Sequence, residues 1–253
     1  MSQNQFPYTS ERTTSPLPAN TPHPLSGSSP AALGVKPDAR LANAFLAQAF
    51  VWMFAGLLVT AGVAFAVQNN ARLLDFAQSN FFLLFIAQLG IVVVISAAIN
   101  RINATLALAL FFVYAATLGI TVGLIVSAYT SGSVATAFLS ASAMFGAAAV
   151  YGKVTQRSLA GLGGILFMGI IGLLVAMLIN LIVGSSAISW LISIVGVVLF
   201  TALTAYDVQR IQSGAIAAQT GSMEKAAVIG ALQLYLDFVN LFLFMLRLLG
   251  GRS

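Results

Sequence analysis

The chain has 253 residues, of which 59% are apolar and only 7% charged, against roughly 25% charge in a soluble domain; the surplus apolar surface must face lipid. It has no cysteine and one histidine, His23, outside the apolar region, which excludes disulfides, thiolate or histidine metal sites and Cys or Ser-His nucleophiles within a membrane. The net charge of +5 comes from basic residues scattered singly through loops, a pattern that fits membrane topology and not nucleic-acid binding.

Residues 1–43 hold all seven prolines, from Pro7 to Pro37, with many Ser and Thr. Such a segment has too little apolar surface to offset its ordering entropy, so a disordered tail is expected. It serves either as a docking tail or as a tolerated extension. It lacks the basic start and apolar core of a secretory signal. Residues 44–253 are expected to form one membrane domain. Apolar runs recur at 45–67, 81–99, 104–128, 133–151, 161–183, 187–206 and 227–249. Each is long enough to cross a hydrocarbon core of roughly 30 Å as a helix, and lipid cannot satisfy the backbone of anything less regular. The predicted fold is an all-α membrane protein, a seven-transmembrane-helix bundle. The short breaks at 100–103, 129–132 and 184–186 force antiparallel hairpins. Gly119 and Gly123, with Ser127 on the same face, and Gly56 with Thr60, are spaced for close helix packing.

With the N-terminus inside, the inner side holds Lys36, Arg40, Arg101, Lys153, Arg157, Arg210 and Lys225, and the outer side only Arg72, Arg247 and Arg252. The excess of inner positives supports this orientation. Compact loops without added domains point to a bacterial plasma membrane.

The first six runs contain no Asp, Glu, Lys or Arg. The seventh carries Asp237 near its middle, where an ionised Asp costs roughly 2.5–3.5 kcal/mol on insertion scales. Helical spacing places Gly230, Gln233, Asp237, Asn240, Phe244 and Arg247 on one face, so Gln233, Asp237 and Asn240 form a polar stripe. A helix bearing such a stripe is most simply buried in the bundle, with the stripe lining a polar path or satisfied by interhelical hydrogen bonds. Asp207 closes the sixth run in Thr204-Ala205-Tyr206-Asp207-Val208-Gln209-Arg210. It is either an interfacial Asp paired with Arg210 or a partner of Asp237. The two can meet if the sixth helix continues past Ile211 with Arg210 snorkelling to the surface. Arg101, in the turn after the second run, is either a topology marker or a latch for Asp207.

At these residues the chain resembles the Bax inhibitor-1 family, the transmembrane Bax inhibitor motif proteins. The resemblance lies in Ala205-Tyr206-Asp207-Val208-Gln209-Arg210-Ile211 and in Gly230-Ala231-Leu232-Gln233-Leu234-Tyr235-Leu236-Asp237-Phe238-Val239-Asn240-Leu241-Phe242, with Leu246-Arg247-Leu248-Leu249-Gly250 at the end. Upstream, Val51-Trp52-Met53-Phe54-Ala55-Gly56-Leu57 and Leu108-Ala109-Leu110-Phe111-Phe112-Val113-Tyr114-Ala115-Ala116 are similar to its first and third spans. It covers nearly everything from about residue 41 onward. The resemblance implies seven helices with the C-terminal helix central and a pH-sensitive calcium leak gated by two facing aspartates, here Asp207 and Asp237. It also implies an arginine latch, best matched by Arg101. It further implies roles as cell-death suppressors or as partners of a membrane protease. The segment Lys153–Leu159 departs from the family's usual loop in carrying no acidic residue.

Two carboxylates in one low-dielectric site resist ionising together and titrate as a pair. With the amides of Gln233 and Asn240 they offer hard oxygens to Ca2+, the ion expected to pass, alongside H+. The alternative is a non-conducting membrane regulator that binds a membrane protease or another membrane protein. An enzyme is not expected: no Gly-x-Gly-Asp accompanies the Tyr-Asp pair as in intramembrane aspartyl proteases, since Gly161-Leu162-Gly163-Gly164 has no acid. Residues 227–249 hold no Lys for a retinal Schiff base.

Overall fold

The computed structural model describes residues 39–99 and 101–251, and the predicted tail over residues 1–38 lies outside the described residues. The chain forms α1 (Ala39–Gln68), α2 (Ala71–Ser79), α3 (Phe81–Ala98), α4 (Ala104–Val126), α5 (Ser131–Val154), a 3-10 turn at Ala160–Leu162, α6 (Gly163–Val183), α7 (Ser186–Gln212), α8 (Ala215–Thr220) and α9 (Met223–Leu249). No strand occurs among the described residues. Seven helices, α1, α3 to α7 and α9, are long and apolar enough to cross a membrane, one for each apolar run.

The connections can be short because their polar residues cap the helices they lead into. Asn103 Oδ1 accepts from Leu106 N at 2.7 Å, Thr130 Oγ1 from Ser133 N at 3.2 Å and Ser185 Oγ from Ile188 N at 3.4 Å. Each satisfies an amide that has no partner within its own helix. The break between the first two spans is itself helical. Asn70 Oδ1 accepts from Arg72 N and Leu73 N and starts α2, whose Leu73, Leu74, Phe76 and Ala77 share one side opposite Arg72, Asp75 and Gln78.

Three helices extend four residues or more beyond their apolar runs. α1 begins at Ala39, so residues 39–43 are helical. α7 runs on to Gln212 and α9 starts at Met223. Hydropathy falls where Asp207, Gln209 and Arg210 appear, yet backbone hydrogen bonding continues until Gly214 turns left-handed at φ 74°, a conformation glycine adopts without penalty.

The C-terminal helix is the axis of the bundle. Two thirds of its span (67%) is buried, against 17–44% of the other six, and α1, α4, α5, α7 and α8 all pack on it. α3 and α6 lie at the periphery, against α4 and α7 respectively. The spaced glycines seat α4 on α1. A Cβ on Gly119 would lie 2.8 Å from Val63 Cβ and 2.9 Å from Thr60 O, and one on Gly123 would lie 2.9 Å from Ala64 O. Small residues permit such backbone approach where the apolar effect gives no drive between helices. Thr60 then ties α1 to both partners: its Oγ1 donates to Ala115 O at 2.9 Å and lies 2.6 Å from Tyr235 Oη on α9.

Candidate functional site

α7 and α9 run antiparallel, each presenting a glycine to a side chain of the other. Gly230 admits Ile211, and Gly196 admits the ring of Phe244. Residue numbers rise in opposite directions along the two helices, so Asp207 and Asp237 fall between these two contacts. Both are buried, at 6% and 4% exposure. Their carboxyl groups lie close enough to act on one another. A hydrogen bond between two carboxyls requires a proton on one of them, so the pair can be joined in that way only while it carries a single negative charge or none.

Asp207 lies about one and a half turns before the inner end of α7, and the pair occupies the inner half of the bundle. Arg210, less than a turn further on, is the cation whose field acts on Asp207. Its Nη2 donates to Gln219 Oε1 on α8 at 2.8 Å, which directs the guanidinium toward the inner surface. Between Asp207 and Arg210, Gln209 holds the α5–α6 connection. Its Nε2 donates to Arg157 O at 2.9 Å, and its Oε1 accepts from Leu159 N at 2.7 Å. On the α5 side, Gly152 meets the carbonyl of Ala205 so closely that a Cβ would not fit. The backbone beside Asp207 is therefore fixed from two directions. Gln209 and Gly152 received no role from the sequence. Gln209 stood within a recognised motif, but its partners lie fifty residues away in the chain.

Of the polar stripe on α9, Gln233 accompanies the pair and Asn240 does not. Asp237 Oδ2 and Gln233 Oε1, four residues apart on one helical face, are buried acceptors without a protein donor. Buried acceptors rarely stay unmatched, so the position favours a donor or a cation. Asn240 donates from Nδ2 to Leu236 O at 2.8 Å in its own helix. Outward of Asp237 the environment turns aromatic: Phe238 packs edge-on against Phe145 and Phe138, with ring centroids 5.4 and 5.6 Å apart, and Phe244 stacks on Phe200 at 5.8 Å. A cavity of about 270 Å³ in the outer half is lined chiefly by apolar groups such as Leu57, Ala64, Val126, Phe138 and Phe242.

Arg101 is exposed in the turn between α3 and α4, and no ion pair joins it to either aspartate among the described residues. No group of three or more His, Cys, Asp or Glu side chains that could hold a metal occurs among them either. Two carboxyls and one amide oxygen fall short of the six to eight oxygens Ca2+ takes, so water would have to complete its shell at this position.

The model of the family described as "Inhibitor of apoptosis-promoting Bax1" matches residues 42–253. The inner membrane protein YbhL of Escherichia coli is 41% identical over 224 residues, covering 86% of this chain and 95% of that protein. An uncharacterized protein of Deinococcus radiodurans is 43% identical over 210 residues, covering 83% and 91%. One of Borreliella burgdorferi is 40% identical over 222 residues, covering 86% and 96%.

Proposed function

The chain belongs to the Bax inhibitor-1 family, and from that premise we propose that it is a pH-sensitive cation leak whose gate is the Asp207–Asp237 pair. The observation that carries this reading is the approach of two buried carboxyls across the α7–α9 interface. With a proton shared, the pair draws the two helices together and the aromatic layer outward of it stays packed. Loss of that proton leaves two like charges in an apolar interior, where their repulsion is poorly screened. Two relaxations are then open: the helices separate and admit water, or a cation enters. Ca2+ suits the second because it prefers carboxylate and amide oxygens, and Asp237 Oδ2 and Gln233 Oε1, one turn apart on α9, are both buried without donors. An ion held by so few protein ligands keeps most of its water and leaves readily, as a leak requires.

The test is Ca2+ entry into dye-loaded liposomes containing the purified chain, recorded from about pH 5.5 to about pH 8.5. Protein-dependent flux that changes with pH supports the proposal. Equal flux with and without protein at every pH would replace it with a non-conducting regulator of another membrane protein, and the search would turn to a partner such as a membrane protease.

A further inference from the structure

α6 packs on α7 rather than on α5, and a cleft lies between α5 and α7, bounded by the segment that leads into α6. Its volume is about 500 Å³, and Ala147, Tyr151, Leu159, Val198, Thr201 and Ala205 are among its lining residues. Thr201 Oγ1 donates to Val197 O within its own helix at 2.6 Å, so the α7 wall offers apolar surface. The cleft opens to the lipid side: Tyr151 is 52% and Val198 64% exposed. α5 ends at the inner side of the membrane, and the segment leading from it into α6 closes the cleft at that end.

That inner end is basic. Lys153 and Arg157 are exposed, and neither side chain has a hydrogen bond or ion pair among the described residues. The Tyr151 hydroxyl has no protein partner there either. No Asp or Glu occurs anywhere between Asp75 and Asp207, so no acidic side chain on α5, the connecting segment or α6 competes for these cations. An apolar cleft at acyl-chain depth below unpaired cations at headgroup depth is complementary to one amphiphile.

We propose that this cleft binds an anionic phospholipid of the inner leaflet. One acyl chain lies along the Val198–Ala205 stretch of α7, and the phosphate sits with Arg157 and the Tyr151 hydroxyl, while Lys153, on the opposite face of α5, adds only to the positive field at that end. Basic residues at this level attract anionic headgroups, and a tyrosine ring with its hydroxyl toward water suits the interface. The site bears on the carboxyl pair through the backbone. Ala205 lies two residues before Asp207, and Gln209 holds both Arg157 and Leu159, so a lipid seated here braces the stretch of α7 that carries Asp207.

Binding is tested separately from ion flux. The full chain in detergent is titrated with phosphatidylglycerol or with phosphatidylcholine of the same acyl chains, and retained lipid is counted by native mass spectrometry. Phosphatidylglycerol is expected to be retained preferentially. Arg157→Gln should weaken its retention about fivefold, and Lys153→Gln, on the opposite face of α5, by less. Arg247→Gln at the outer end should change nothing. Ala147→Trp, which fills the exposed side of the cleft, should remove the preference while the basic residues remain. Equal retention of the two lipids, or a phosphatidylglycerol preference that survives the double charge substitution at these exposed positions, would overturn the proposal and leave only lipid that coats the bundle without a site.

Discussion

Asp237 on α9 meets Asp207 on α7 in the interior of the bundle, and a hydrogen bond between their carboxyls can exist only while the pair keeps a proton. Asp207 Oδ atoms also feel Arg210 on the same helix, whereas Asp237 Oδ2 has no donor. The two acids therefore occupy unequal surroundings although they share one contact.

Asparagine in either position keeps the size and the hydrogen bonding of the side chain but cannot gain or lose a proton. Asp207→Asn and Asp237→Asn are each expected to yield a flux that no longer varies with pH in the liposome assay. Arg101→Gln should retain the wild-type profile, because Arg101 is exposed and makes no ion pair with either acid. A normal pH profile in both Asn variants would remove the pair from the gate.

The shared proton also predicts a sign for stability. As pH rises and the proton leaves, the hydrogen bond gives way to repulsion, so the α7–α9 contact weakens. A contact that weakens as the proton leaves makes stability fall with rising pH. The melting temperature in detergent should decrease between about pH 5.5 and about pH 8.5 in the wild type and stay level in Asp237→Asn. A melting temperature that rises with pH in the wild type would contradict the shared proton.

Thr60 and Tyr235 join α1 to the axial helix through one 2.6 Å contact. Thr60→Val and Tyr235→Phe are each expected to cost about 1 kcal/mol. Because both remove the same bond, the double variant should lose clearly less than the two single losses combined, as a thermal-melting cycle will show.

Gly119→Leu would place a branched side chain where even a Cβ lies 2.8 Å from Val63. Forcing α4 off α1 should destabilise the protein by about 1–3 kcal/mol. Gly62→Ala, where nothing lies within 4 Å of the added atom, serves as the silent comparison in the same melting experiment.

Gln209→Leu keeps the length of the side chain but cannot bond Arg157 O or Leu159 N. The amide of Leu159 should then exchange with deuterium at least about tenfold faster, if roughly 1.4 kcal/mol of local protection is lost, while amides in the middle of α9 keep their wild-type rates.

Number and order of the spans were legible in the sequence because lipid imposes a local rule: every apolar run of sufficient length must satisfy its own backbone, and charge is excluded from it. The exclusion made Asp237 conspicuous and set the orientation through Lys and Arg. The same rule ended the sixth run too early. Hydropathy registers the polar Asp207-Val208-Gln209-Arg210 stretch as an end, whereas a helix ends where its hydrogen bonding does, at the left-handed Gly214. Only the tertiary structure decided which helices touch. It gave Gly119 and Gly123 to α1, turned Asn240 back onto its own helix, left Arg101 at the surface and brought Gln209 to a segment fifty residues earlier. A helix exposes its polar face to sequence analysis, but the neighbour that face meets depends on rotation and depth, and those are set by packing against every other helix at once.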